Sequence, residues 1–339
     1  MARVQPVSAQ RVVSIDLLRI VAAVGIIWFH TEGAPYRQIG YAALPMFLLL
    51  FFALITRQDP ACSTRHFLKR RWDRLLKPWL FWSAVYGVAR LTHAASTRDL
   101  TSLANLLSPE TLLAGTYIHL WYLPYAFMSG LLIHALNRPI SKVSSNPLVV
   151  LAATAVGVLT LAVCTSDRHT SAWVPPLPQW AFGLAAIPLG LAVGRSLAIP
   201  SPRARALHLA GISVATTAAG LIAIPFHVAS GFIPYGLAVA LVCLACGWRI
   251  RGNGFVAAVA PLTFGIYLVH PLVMHGLKQF VTPDGHFAAF ITLTACLSGI
   301  VTWGPDEDTP QDSPVGGRRR DQTGRSPLTV EEWGTTVHI

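Results

Sequence analysis

The sequence is poor in charged residues. Only 12% of its 339 residues are Asp, Glu, Lys or Arg, about half the share in an ordinary soluble domain, whereas 53% are hydrophobic. A chain with so few charges cannot surround its apolar residues with a hydrated surface. The composition therefore excludes a water-soluble globular protein and indicates that lipid is the main solvent of this chain.

The chain also lacks the signatures of common soluble chemistries. It has no glycine-rich phosphate loop, no zinc signature, no serine elbow and no evident internal repeat. Its five cysteines are odd in number and lie mostly in apolar stretches, so we expect no disulfide framework. The Cys243–Cys246 pair favours helix packing over metal binding, and we expect no metal site. If the protein is an enzyme, its base is a histidine within the membrane.

Apolar stretches long enough to cross a bilayer recur along the chain. We predict an all-α, polytopic transmembrane helical bundle of about ten spans in the cell membrane. The stretches lie near residues 13–30, 39–56, 78–92, 118–136, 148–165, 178–195, 207–226, 231–247, 256–277 and 286–303.

The net charge of +11 follows from membrane topology and does not indicate a nucleic-acid partner. With the N-terminus inside, basic residues concentrate in the inner segments, as the positive-inside rule requires, and both termini are cytoplasmic. The outer segments hold only Arg37, Arg98, Arg168 and Lys278. The inner segments hold Arg3, Arg11, Arg57, Arg65, Lys69, Arg70, Arg71, Arg74, Lys77, Arg138, Lys142, Arg195, Arg203, Arg205, Arg249, Arg251 and the arginines of the C-terminal tail.

The composition changes sharply near Gly304. Residues 304–339 hold seven of the fifteen acidic residues, are rich in Pro and Gly, and have no apolar periodicity. We predict two parts in the chain: a membrane domain over residues 1–303 and a disordered cytoplasmic tail over residues 304–339.

The first span carries three ionisable residues, Asp16, Arg19 and His30. Arg19 and His30 are eleven positions apart, which is three helical turns plus about 20°, so they project from one face at a separation of about 16 Å along the axis. Asp16 lies three positions before Arg19 and can neutralise it. Charged groups in hydrocarbon are costly and usually face a polar cavity, although a snorkelling arginine and an ordinary helix-end histidine explain each residue singly.

The inner loop that follows the second span reads as a basic amphipathic helix, TRHFLKRRWDRLLKPW. Phe67, Leu68, Trp72, Leu75, Leu76 and Trp79 form its predicted apolar side. Its predicted cationic side consists of Lys69, Arg70, Arg71, Arg74 and Lys77. This side attracts anionic lipid headgroups, at about 1 kcal/mol per basic residue. Alternatively, Arg71 and Arg74, three apart on one face, bind the phosphates of a cytosolic substrate.

Two further clusters place polar side chains inside apolar runs. HLWYLPYAF places His119, Trp121 and Tyr122 at the outer start of the fourth span, where the aromatic side chains form either an interfacial belt or a substrate platform. FGIYLVHPL places Tyr267 and His270 on one face of the ninth span. For His270, a packing role and a role as ligand or base are equally open.

These segments together resemble the acyltransferase-3 family of integral membrane O-acyltransferases. The matching features are SIDLLRIVAAVGIIWFH with its arginine-ten residues-histidine motif, FLKRRWDRLLKPWLFW, HLWYLPYAF and FGIYLVHPL, in family order over about residues 10–303. Each motif alone is loose, but the ordered set is specific.

The resemblance implies transfer of an acyl group, commonly acetyl, from acyl-CoA to a hydroxyl of a carbohydrate or glycan at the outer side of the membrane. His30 is then the general base or a transient acyl carrier, and Arg19 positions charge from the cytoplasmic side. Arg71 and Arg74 meet the phosphates of CoA, which is a donor substrate and not a tightly bound cofactor. His119, Trp121, Tyr122, Tyr267 and His270 are the expected substrate-binding residues.

The second span departs from the family pattern. Where many members have a Ser-Gly pair, this chain has Phe51 and Phe52, whose rings narrow any path between helices. Two other interpretations stay open from the sequence. One is a transporter or flippase of a polar or anionic substrate, because intramembrane Arg, His and Pro also mark substrate pathways. The other is a non-catalytic protein on the same scaffold.

Overall fold

In the computed structural model the chain is all-helical over the described residues. These are residues 12–59, 62–98, 108–141, 146–165, 173–224, 231–248, 250, 252 and 254–303. The predicted tail, residues 304–339, lies outside the described residues. The α-helices are α1 Val13–His30, α2 Arg37–Gly40, α3 Ala43–Thr56, α4 Thr64–Arg71, α5 Lys77–Thr97, α6 Pro109–Ala114, α7 Tyr122–Ser141, α8 Pro147–Cys164, α9 Leu177–Leu184, α10 Ala186–Leu197, α11 Pro202–Ala223, α12 Phe232–Gly247, α13 Gly254–Val259, α14 Thr263–Leu277 and α15 Phe287–Thr302.

The helices confirm an all-α membrane protein. Each of the ten apolar stretches overlaps a helix. Within the part of the chain that the structure describes, six helical segments have the length and apolar composition needed to cross a bilayer. They are Val13–His30, Arg37–Thr56, Pro147–Cys164, Leu177–Leu197, Pro202–Ala223 and Gly254–Leu277, with shorter apolar helices at Phe232–Gly247 and Phe287–Thr302. The count of ten spans and the cytoplasmic position of both termini stay predictions.

Helix α3 lies at the centre of the bundle, where it packs against α1, α7, α10 and α12. Its residues are almost all apolar and most of them are buried, including Phe51 and Phe52. A helix that is apolar all round must be enclosed by other helices or by lipid, and here protein encloses most of it. Helix α1 packs against α3, α12, α14 and α15, so the ionisable first span borders several elements.

Two glycines one turn apart bring α10 close to α3. A Cβ atom on Gly190 would lie 2.6 Å from the Phe52 Cβ atom. A Cβ atom on Gly194 would lie 2.7 Å from the Ala53 carbonyl oxygen and would clash with the Thr56 hydroxyl. Small residues four apart allow helix backbones to approach each other inside membranes. This spacing therefore sets how closely α3 and α10 pack.

We expect Gly194→Ala to destabilise the protein by about 1–3 kcal/mol, because the added methyl group overpacks a backbone contact that cannot relax cheaply. The matched control is Gly211→Ala on α11, where a Cβ atom meets no atom within 4 Å. Its gain in helix propensity predicts a small stabilisation, about 0.5–1 kcal/mol. Thermal unfolding of the detergent-purified variants measures both, and shifts of the same sign contradict the proposed close packing.

The inner loop forms the predicted helix, but a different face of it is buried. Phe67, Arg71 and Leu75, spaced by four residues, are buried, whereas Trp72 is 46% exposed. The prediction that Arg71 lies on an exposed cationic side and Trp72 on the apolar side is therefore wrong. Tertiary packing decides the orientation: Phe67 stacks on His134 of α7 at 4.2 Å, and this contact turns the Phe67–Arg71 face inward. A π-helical turn, Trp72–Leu76, then joins α4 to α5.

Candidate active site

A cavity of about 460 Å³ lies beside the C-terminal end of α1. Helix α1, the start of α3, the segment before α7 and α14 from Tyr267 onward contribute to its walls. Its lining includes His30, Tyr41, His119, Tyr267, His270 and Lys278. A volume of this size is typical of small-molecule sites.

Helix α1 places His30 at the cavity and Arg19 three turns away. His30 is the last residue of α1 and is exposed, so its ring is accessible to a small molecule in the cavity. Arg19 forms an ion pair with Asp16 at 3.6 Å, as the three-residue spacing predicts. Both side chains are largely buried, with 13% and 8% of their surfaces exposed. The pairing compensates the arginine charge within the bundle, while His30 is at the other end of the same helix.

The proline inside α14 determines how His270 is held. Pro271 has no backbone N–H, so the Tyr267 carbonyl, four residues earlier, loses its regular helical donor. The Nδ1 atom of His270 lies 2.7 Å from that carbonyl oxygen. The ring of His270 is completely buried and its centroid lies 5.4 Å from that of His30. Tyr267 and His270, which are predicted to share a helix face, are therefore linked by a hydrogen bond from the His270 side chain to the Tyr267 backbone.

His119 is brought to the same place from a distant part of the chain. It lies in a 3-10 turn, Ile118–Trp121, and its Nε2 atom is 3.3 Å from the Leu268 carbonyl oxygen. The Tyr86 hydroxyl of α5 donates to the same carbonyl at 2.7 Å, and the Tyr267 hydroxyl donates to the His119 carbonyl. The His119 and His270 ring centroids are 5.8 Å apart. These hydrogen bonds hold α5, the 3-10 turn and α14 together around the histidines.

The predicted substrate-binding residues divide into two groups. His119, Trp121, Tyr267 and His270 line the cavity with His30. Tyr122 lies behind this wall, its ring centroid 5.5 Å from that of Tyr267, and it is near both Arg19 and Arg71. The two tyrosine rings therefore separate the histidine cavity from the arginine side of the bundle. Their roles toward a substrate stay predictions.

Arg71 is a buried cation held between aromatic rings. Its guanidinium carbon lies 4.9 Å from the ring centroid of Phe51 and 5.2 Å from that of Phe67. Both arrangements are cation–π contacts. Burial lowers the pKa of Arg71 to about 10, which still leaves the group protonated near neutral pH. No carboxylate of the described residues forms an ion pair with it. An accessible anion would therefore gain strongly from pairing with this charge.

Arg74 lies one turn further along and is only partly buried. Burial lowers its pKa, and the charge of Arg70 adds to the effect. Arg71 and Arg74 are close enough to interact electrostatically, as the three-residue spacing predicts. Two neighbouring guanidinium groups form a suitable site for a phosphate group.

Sequence reasoning missed several residues of the site. Tyr41 and Tyr117 line the cavity, and the Glu32 carboxylate pairs with the Lys278 amine across its edge at 3.1 Å. Glu32 follows His30 by two positions, which was a usable signal, whereas Lys278 is 246 positions from Glu32. Among the described residues there is no group of three or more His, Cys, Asp or Glu side chains arranged to hold a metal ion.

The family model of the acyltransferase domain matches residues 12–305. Comparison with curated proteins and with solved structures gives no match. The matched region runs from the start of α1 to just beyond the end of α15 and contains every residue described above. It confirms the resemblance that the arginine-ten residues-histidine motif and the three later segments indicate. The chain, a membrane protein with a histidine-lined cavity, belongs to the acyltransferase-3 family.

Proposed function

We propose that the protein transfers an acyl group, normally acetyl, from cytosolic acyl-CoA to a hydroxyl of a carbohydrate or glycan at the outer side of the cell membrane. The observation that carries this proposal is the exposed His30 at a cavity of about 460 Å³, on the helix that also holds Arg19. Family membership supports the acyltransferase class. The donor, acceptor and membrane side are the proposed details.

The arginine side supports an anionic donor. Arg71, buried against Phe51 and Phe67, and Arg74 beside it offer guanidinium groups that bind phosphate bidentately, as the phosphates of CoA require. Arg19 and Arg71 are both near Tyr122, and in this proposal Arg19 stabilises negative charge on the donor. A helix that only attracts lipid headgroups needs its basic residues exposed, whereas Arg71 is buried against protein aromatic rings, so we favour donor binding over lipid attraction.

The cavity supports a hydroxyl acceptor. Its histidines provide a proton acceptor, and the aromatic rings of Tyr41, Tyr117 and Trp121 provide apolar faces with nearby polar groups. In the transfer step the hydroxyl oxygen forms a bond to the acyl carbon and the bond from that carbon to the CoA sulfur breaks. The hydroxyl proton passes to His30, and the sulfur leaves as the CoA thiol after taking up a proton. The same bonds are formed and broken overall whether the hydroxyl attacks acyl-CoA directly or an acyl-His30 intermediate forms first.

The experiment compares surface glycans from cells with and without the gene, by mass spectrometry or NMR. We expect loss of O-acetyl groups in the deletion strain and their return with the wild-type gene but not with His30→Ala. Unchanged acylation in the deletion strain contradicts the proposal. Substrate movement without release of CoA indicates a transporter, and absence of both activities indicates a non-catalytic relative.

A further inference from the structure

We infer that His270 is a positioning residue for His30, with its tautomer set by the proline that follows it. The inference deepens the proposed function and rests on it. Three observations carry the argument: the hydrogen bond of His270 to a carbonyl, the unoccupied second nitrogen of its ring, and the distance to His30.

The backbone fixes which nitrogen of His270 carries the proton. A carbonyl oxygen only accepts hydrogen bonds, so the 2.7 Å contact with the Tyr267 carbonyl places the proton on Nδ1. In a neutral imidazole the other nitrogen, Nε2, then keeps a lone pair and only accepts. The carbonyl is open to this contact because Pro271 supplies no N–H to it. The adjacent residues His270 and Pro271 therefore determine the tautomer together.

The Nε2 atom of His270 is buried and makes no hydrogen bond with any described residue. A buried nitrogen lone pair without a donor carries an energetic cost, and such groups in native proteins generally have a role. The ring lies in the cavity wall but has no exposed surface, so it is poorly placed to bind a molecule itself. His30 lines the same cavity and is exposed, so it is the better placed of the two histidines to meet a bound molecule.

The distance allows the two rings to bond. Rings that share a linear N–H···N bond of about 2.9 Å have centroids about 5 Å apart. The observed centroid distance of 5.4 Å is slightly longer, and a small rotation of the exposed His30 ring brings the two nitrogens within hydrogen-bonding distance. His30 then donates an N–H to His270 Nε2 and keeps its other nitrogen unprotonated toward the cavity. A catalytic histidine needs this tautomer whether it removes a proton or carries the acyl group.

The tautomer of His119 is consistent with a hydrogen bond from His30 to His270. Its contact with the Leu268 carbonyl places a proton on Nε2, and its Nδ1 atom has no partner among the described residues. It therefore offers no proton to the lone pair of His270. His30 is left as the only histidine of the three that can donate to His270 Nε2.

The decisive variant is Pro271→Ala. The new alanine N–H competes for the Tyr267 carbonyl and releases His270 Nδ1, without removing any side chain from the histidine cluster. We expect kcat to fall at least 10-fold with an unchanged KM for acetyl-CoA, and we expect no loss of thermal stability, because alanine favours the helix. The assay uses full-length protein in nanodiscs, labelled acetyl-CoA, and de-acetylated surface glycan from the deletion strain.

Substitution of His270 provides the second arm. His270→Phe removes the lone pair, and we expect kcat to fall about 100-fold, whereas the amide oxygen of His270→Gln accepts from His30 and restores part of the rate. His93→Phe, at an exposed site on α5, is the matched control and keeps the wild-type rate. Nitrogen-15 NMR of histidine-labelled protein is expected to show a protonated Nδ1 and an unprotonated Nε2 at His270.

The outcomes separate this inference from the proposed function. A wild-type kcat in Pro271→Ala, a proton on Nε2 of His270, or a glutamine variant no better than the phenylalanine variant overturns the role of His270. Absence of CoA release by the wild-type protein overturns the proposed function instead. Because Pro271→Ala keeps every histidine, it still decides the question if a His270 variant does not fold.

Discussion

His30→Ala is expected to lower acyl transfer by about 10³-fold, within the range of 10²–10⁴ that general acid–base catalysis contributes. The side chain is at the end of α1, it is exposed, and it borders the cavity, so its removal takes away the proton acceptor nearest to a bound hydroxyl. We expect the loss in kcat, with little change in the KM for acetyl-CoA. Release of the CoA thiol and transfer of labelled acetyl to glycan are measured in parallel.

The control for this prediction must lose a histidine without disturbing the bundle. His93→Ala on α5 removes an exposed imidazole that does not line the cavity. We expect its rate to equal that of the wild type, and the melting temperature of His30→Ala to stay close to the wild-type value, because the His30 ring is exposed. A His30→Ala protein that transfers acetyl at the wild-type rate removes His30 from the chemistry.

Arg71→Ala is expected to raise the KM for acetyl-CoA about 10- to 100-fold. Hydrogen bonds to charged groups contribute about 1.5–3 kcal/mol each, and every 1.4 kcal/mol is tenfold in affinity. Arg71→Lys does not restore binding, because an ammonium group neither packs as a plane between Phe51 and Phe67 nor bonds a phosphate bidentately. The measurement is the KM for acetyl-CoA in nanodiscs made with neutral lipid.

Two exposed residues of the same helix are the controls for Arg71. Arg65→Ala and Lys69→Ala remove the same charge from α4 but from exposed positions. If the helix binds CoA through Arg71, these variants keep the wild-type KM, whereas simple attraction of anionic lipids makes all three equivalent. Equal effects at Arg65, Lys69 and Arg71 therefore contradict the donor site. The melting temperature of Arg71→Ala separates loss of binding from loss of packing.

Phe51 illustrates what the family pattern alone leaves open. The bulky ring at a position where relatives have a small residue predicts a narrowed path in the second span. In the structure, this ring lies against the Arg71 guanidinium and beside Gly130 of α7, which has no side chain to compete for the space. The Phe51 ring therefore has a structural partner on the arginine side of the bundle.

Several features follow directly from local sequence. The shortage of charge and the apolar stretches predict membrane helices, because backbone groups in lipid must be satisfied within each helix. The eleven-residue spacing predicts that Arg19 and His30 project from one face of the first helix. The three-residue spacing predicts the Asp16–Arg19 pair, which the structure confirms at 3.6 Å. These are properties of a single helix and do not depend on its neighbours.

The second set of features depends on which helices meet. His30, His119 and His270 lie far apart in the sequence. The ring centroid of His270 nevertheless lies within 6 Å of those of both His30 and His119, and no sequence periodicity predicts this. The burial of Arg71 similarly depends on Phe51 from another helix. Hydrophobic patterning indicates how apolar a helix face is, but not which helix covers it. For this reason the pattern wrongly predicts an exposed Arg71 and a buried Trp72.

The sequence by itself therefore determined that this chain is an all-helical membrane protein with the motifs of a membrane acyltransferase, because solvent preference and helical spacing are local properties. Only the tertiary structure decided that three histidines share one cavity and that Arg71 is buried. The physical reason is that side-chain contacts between helices arise from packing of whole surfaces, which no single segment contains.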